Sequence, residues 1–148
     1  MPTTTARDIM TSNPRIMKVD DAVIDIAKAL AEDQIGVVVV CNDDNRLQGM
    51  ITDRDLTVEV LAKGKDPGST KAGDLLDGSE VVTIGADDSI EEAIDTMTQH
   101  AVRRLPVIDG TDVVGMVSQA DIARTADEKL VGRLVEAISA APDNSAQG

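Results

Sequence analysis

Apolar residues along this chain fall into short runs with two alternating rhythms, one of period two or continuous and one of helical spacing. The first half predicts a strand near Ile16–Val19, a helix from about Ala22 to Asp33 and a strand Val37–Cys41. A polar turn, Asn42–Asn45, leads to a strand Leu47–Ile51, and a second helix starts near Thr52 and stops before Gly64. The second half predicts a strand Val81–Ile84, then a helix capped by Asp88 with Glu91 as its capping-box partner. Ile90, Ala93, Ile94 and Met97 fall at i, i+3, i+4 and i+7, so that helix buries one face. Strands Leu105–Ile108 and Val113–Val117 follow, joined by the hairpin turn Asp109–Asp112.

The two halves are copies of one unit, strand-helix-strand-strand-helix. Ala6-Arg7-Asp8-Ile9-Met10 returns as Ala72-Gly73-Asp74-Leu75-Leu76, and Gly49 and Asp55 return as Gly115 and Asp121, each 66 positions later. Asp20-Asp21-Ala22-Val23 matches Asp87-Asp88-Ser89-Ile90 at 67 positions, a slip absorbed in the unequal hairpin turns. The reading divides the chain into units 6–64 and 72–126 with a connector 65–71, a C-terminal helix 127–140 and a flexible tail 141–148. Leu130, Val131, Leu134, Val135 and Ile138 give that last helix an apolar stripe, for packing on its own domain or for a dimer contact.

Composition narrows the function. The chain has 148 residues and a net charge of −13, which argues against nucleic acid or an anionic membrane as partner. A phosphate site would need local arginines to reverse that field. The longest strongly apolar run, Val37–Cys41, is far too short to span a bilayer, and the N-terminus lacks a signal-peptide core, so a cytoplasmic protein is expected. Its one cysteine, Cys41, sits inside that run and reads as a small buried hydrophobe in a reducing compartment. With no Phe, Tyr or Trp, a planar ligand would have to lie between aliphatic side chains. One His and one Cys cannot supply structural-zinc ligands within one chain, and His100 reads as a polar residue at a helix C-terminus. No nucleophile–base arrangement or glycine-rich phosphate loop is present, so no catalytic residue and no required cofactor are assigned.

The candidate chemistry lies at two corners, Gly49-Met-Ile-Thr-Asp-Arg-Asp55 and Gly115-Met-Val-Ser-Gln-Ala-Asp121, where a buried strand runs into a helix start. Thr52 with Asp55 and Ser118 with Asp121 fit the capping-box spacing. On the residues alone capping is favoured over a ligand site, and the two readings can hold together, because a capping hydroxyl leaves an outward carboxylate for a ligand's hydroxyls. Arg103 and Arg104 are either solvated, paired with carboxylates or in contact with phosphate.

These corners, the Arg7-Asp8-Ile9-Met10 opening, the Asp87–Ala93 helix start and His100-Ala101-Val102-Arg103-Arg104-Leu105-Pro106-Val107 resemble a tandem pair of CBS domains, the cystathionine-β-synthase-type regulatory module. The resemblance covers roughly Ala6 to Ala126 and implies an α+β fold of two units packed about a pseudo-twofold axis. It implies an adenosine ligand (AMP, ADP, ATP or S-adenosylmethionine) in the cleft between them, and a homodimer. By position, Thr52, Asp55, Ser118 and Asp121 match the family's hydroxyl and ribose-binding residues, Arg104 a phosphate-facing position, and Arg54 and Arg103 weaker candidates. Repeat one departs from the pattern, with Gly36-Val37-Val38-Val39 where repeat two has Arg103-Arg104-Leu105-Pro106, so two equivalent sites are not expected. The stand-alone pair is also similar to small bacterial stress-induced proteins. A non-enzymatic sensor acting on an unknown protein partner is the leading reading, and a ligand-free dimeric scaffold the alternative.

Overall fold

The computed structural model describes residues 4–125, 132 and 135–139. The expected tail 141–148 and most of the stripe-bearing helix 127–140, including Leu130, Val131 and Leu134, lie outside the described residues; residues 135–139 are helical. Between residues 4 and 125 the elements follow in the order α1 (Ala6–Ile9), β1 (Thr11–Ser12), β2 (Ile16–Lys18), α2 (Val23–Asp33), β3 (Val37–Cys41), β4 (Leu47–Thr52), α3 (Asp53–Asp55), β5 (Ile84–Gly85), α4 (Ile90–His100), β6 (Arg104–Asp109), β7 (Asp112–Ser118) and α5 (Gln119–Ala123). A π-helical stretch, Leu56–Leu61, continues α3, and a short 3₁₀ helix covers Ala72–Leu75.

The chain forms two compact units, and they are not the two sequence repeats. Arg15–Val81 makes one unit, with sheet order β2-β3-β4. Residues 4–14 group instead with residues 82–125, where the sheet order is β1-β7-β6-β5. Each repeat thus gives up its opening segment to the other. Ala6 and Arg7 donate their N–H groups to the carbonyls of Asp88 and Ala86, and Ala72 and Gly73 donate theirs to Asp21 and Val19. Ala6 and Ala72 are both fully buried, each in the core of the unit it has joined.

In each unit a parallel pair (β2 with β3, β5 with β6) is bridged by one helix, and an antiparallel hairpin (β3–β4, β6–β7) completes the sheet. Val23, Ile26, Ala29 and Leu30 of α2 and Ile90, Ala93, Ile94 and Met97 of α4 are buried, as helical spacing predicts. Burying the Val, Ile, Leu and Met side chains among these contributes roughly 1.5–3 kcal/mol each. Two expectations are corrected. Ser89, not Asp88, caps α4, its hydroxyl accepting from the Glu92 N–H at 3.1 Å; Asp88 accepts from the Gly85 N–H at 2.9 Å and closes the preceding turn. The strand expected at Val81–Ile84 survives only as Ile84–Gly85, because only there does parallel pairing with β6 hold. The helix after Thr52 is α-helical for one turn and then π-helical to Leu61, ending at Gly64 with φ +67°.

Candidate functional site

Both corners are strand-to-helix junctions: β4 runs into α3 at Thr52, and β7 into α5 at Ser118. The glycine opening each corner is closely approached by other residues of its unit. A Cβ on Gly49 would meet Leu76 Cδ2 at 2.6 Å, and one on Gly115 would meet Met10 and, at 2.9 Å, the Thr11 carbonyl oxygen. Leu76 and Met10 end the two exchanged opening segments, so each corner is crossed by the segment its unit borrowed.

The capping reading is realised in full. The Thr52 N–H donates to Asp55 Oδ2 at 2.8 Å and the Asp55 N–H to Thr52 Oγ1 at 3.1 Å. At the second corner the Ser118 N–H and Oγ donate to Asp121 Oδ2 at 2.8 and 2.9 Å, and the Asp121 N–H donates to Ser118 Oγ at 3.2 Å. The first helical N–H of each corner is also taken, Asp53 giving to the Gly36 carbonyl at 3.1 Å and Gln119 to the Arg103 carbonyl at 2.9 Å. Asp55 and Asp121 are each only 5% exposed. The expectation of outward carboxylates is therefore corrected: each turns one oxygen back onto its own strand end, since a buried carboxylate needs donors and the N-cap supplies them.

Arg104 opens β6 directly opposite Ser118, and Val37 occupies the same place opposite Thr52 in the other unit, the asymmetry read from the sequence. Arg104 is half-buried, whereas Arg103 and Arg54 are exposed. One residue escaped the sequence reading: Arg124 Nη2 pairs with Asp121 Oδ1. The signal was available, because an acid and a base three apart share a helix face. In the first repeat that position is Val58. Thr52, Asp55 and Arg54 lie in one compact unit and Arg103, Arg104, Ser118, Asp121 and Arg124 in the other.

Away from the corners, Cys41 is buried at the end of β3, where burial pushes its thiol up in pKa and nearby Lys18 acts in the opposite direction. His100 ends α4. No helix among the described residues is long and apolar enough to cross a membrane.

An architecture of paired βαββα units with glycine-to-aspartate corners defines a regulatory binding module. The model of the CBS domain matches residues 6–62 and 72–128, and the chain belongs to the CBS-domain family. It is 41% identical over 135 residues to hypoxic response protein 1 of Mycobacterium tuberculosis, covering 91% of this chain and 94% of that protein. The crystal structure of hypoxic response protein I with two coordinated zinc ions superposes with a TM-score of 0.74 at 40% identity, over 84% of this chain and all of that one. The CBS domain pair of protein MJ0100, in complex with 5′-methylthioadenosine and S-adenosyl-L-methionine, gives a TM-score of 0.71 at 25% identity, over 83% of this chain and 95% of that one.

Zinc sites draw on cysteine and histidine, and this chain has one of each. Among the described residues no three His, Cys, Asp or Glu side chains are placed to hold a metal ion, and burial disfavours the Cys41 thiolate. Among the described residues the donors do not fit a zinc centre within one chain.

Proposed function

We propose that this chain is a non-enzymatic regulatory module of the cytoplasm that binds an adenosine nucleotide (AMP, ADP, ATP or S-adenosylmethionine) through its CBS domains. The observation that carries this reading is the repeated hydroxyl–aspartate corner, with Arg104 opposite Ser118 in one copy. Adenosine compounds bound to the MJ0100 pair support it. Thr52, Asp55, Ser118 and Asp121 contact the nucleoside, Arg104 the phosphate, and Arg54 and Arg103 the periphery. The chain works as a homodimer that passes its signal to a partner protein, and its likeness to hypoxic response protein 1 supports a part in a stress response.

Thermal unfolding followed by circular dichroism, with each compound at millimolar concentration, tests the proposal; the chain has no Trp or Tyr to report by fluorescence. A ligand at a hundred times its dissociation constant adds about 2.7 kcal/mol to stability, which raises Tm by roughly 5–10 °C at this size. No shift with any of the four sinks it. One observation favours a second reading, a ligand-free dimeric scaffold: the corner groups already complete their own capping boxes. Under that reading Asp55→Ala and Asp121→Ala cost only the cap, about 0.5–2 kcal/mol each, with no nucleotide response to lose.

A further inference from the structure

The chain has six methionines, and water reaches them unequally. Met17, Met50, Met97 and Met116 are each no more than 9% exposed. Met10 is half-buried and packs against the core cluster that holds Ala6 and Leu105. Met1 lies outside the described residues. Among the described residues Met10 is therefore the thioether most open to a small solute.

Its sulfur has a defined seat. Beyond Gly115 and its chain neighbours, Met10 Sδ is the heavy atom nearest to the point a Cβ on Gly115 would occupy. Met10 Cγ at 2.8 Å and the Thr11 carbonyl oxygen at 2.9 Å come next. The two residues after Met10 are β1, which pairs Thr11 with Met116 and Ser12 with Gly115 of β7. One glycine thus receives both the thioether and the borrowed strand. In the other repeat Leu76 takes the equivalent place over Gly49, with Cδ2 nearest. Leucine and methionine fill similar volumes, so either serves as packing there. Only methionine can be oxidised.

When hydrogen peroxide oxidises a thioether, the sulfur lone pair takes one oxygen, the O–O bond breaks and water leaves. Sulfur gives up two electrons and peroxide accepts them. The product is a polar sulfoxide in place of a flexible apolar group. An oxygen turned toward Gly115 meets a contact already closed, and one turned outward draws the side chain toward water.

We propose that Met10 is an oxidation site for peroxide, and that its sulfoxide lifts the opening segment, residues 4–14, from β7. The unit closed by Leu76 has no such site at its corner, so the modification acts on one unit alone.

The test treats the full chain with hydrogen peroxide over time and maps all six methionines and Cys41 by peptide mass spectrometry. Met10 is expected to gain one oxygen at least about tenfold faster than Met17, Met50, Met97 and Met116, whose sulfurs are shielded. Oxidation at Met10 should lower Tm by at least about 3 °C. Amide exchange should quicken at Met10 and Asn13, which donate to the Ala6 and Val114 carbonyls, and stay unchanged at Ala72 and Gly73. Sulfoxide reductases for both epimers, with a dithiol that ends as a disulfide while the oxygen leaves as water, should reverse both effects. Met10→Leu should fold like the native chain and lose the peroxide response. If that variant folds poorly, reductase reversal on the native chain decides the matter. Oxidation of Met10 no faster than that of the buried four overturns the proposal. So does a Met10 sulfoxide that leaves Tm and exchange unchanged, or a Met10→Leu chain that loses as much stability under peroxide.

Discussion

Asp8, Asp21 and Asp55 each turn a carboxylate back to the backbone N–H three residues earlier, at Thr5, Lys18 and Thr52, over 2.8–2.9 Å. Asp74, Asp88 and Asp121 do the same at Lys71, Gly85 and Ser118. Six aspartates of the repeat are thus turn and cap chemistry whatever else they do. A hydroxyl residue completes the familiar spacing at Thr5–Asp8 and at the two corners; at Lys18, Lys71 and Gly85 nothing in the residue type announces a cap. The corner glycines are of the same kind. Gly115→Ala drives a methyl against the Thr11 carbonyl, a backbone atom held by the β1–β7 pairing, whereas Gly49→Ala meets only the mobile end of Leu76. Gly115→Ala should cost about 1–3 kcal/mol and Gly49→Ala clearly less, measured by urea unfolding of the two variants. Equal costs would show that the borrowed segment yields as easily as a leucine methyl.

Helices α2 and α4 end alike, with Gln34 and Ala101 in the left-handed region at φ +53° and +54°. Each is followed by a bond from the next N–H back across the turn, Ile35 to the Leu30 carbonyl and Val102 to the Met97 carbonyl, both 3.1 Å. Glycine is the residue usually found there, because a side chain strains that conformation. Ala101→Gly is therefore expected to stabilise the chain by about 0.5–1 kcal/mol, seen as a Tm rise of roughly 1–4 °C. A fall in Tm would mean that the Ala101 methyl contributes more by packing than its strain costs. Neither stop was legible as glycine, so the ends of these helices had to be read from the loss of apolar periodicity. The exchange of opening segments was equally illegible. Ala6–Met10 and Ala72–Leu76 repeat at a constant spacing, which shows that they are equivalent but not which core each joins.

Charge acts over the whole chain. Acidic residues outnumber basic ones 27 to 14, and the ion pairs that offset them, such as Arg7–Asp109, Arg15–Asp33 and Lys71–Asp20, are largely exposed. Self-repulsion therefore outweighs pairing, and screening it should stabilise the fold. Between about 10 mM and 1 M NaCl the Debye length falls from roughly 30 to 3 Å, and Tm is expected to rise by about 3–8 °C, a gain of a few kcal/mol at this size. A Tm that falls over that range would show that the exposed pairs carry net stability.

Hydrophobic rhythm and the internal repeat by themselves determined the α+β class, the two copies of the unit, the buried face of each helix and the two corners. These are local matters, set by side-chain period and by residues three or four apart. Which core each opening segment enters, how closely Gly115 is approached, and that Asp121 faces inward to hold Arg124 were decided only in three dimensions. The corner first read as a strand end and a capped helix is both of those. In the second repeat, with Arg104 brought beside it by strand register, it is also a concentration of positive charge, and register is a pairing of residues far apart in the chain that no local pattern states.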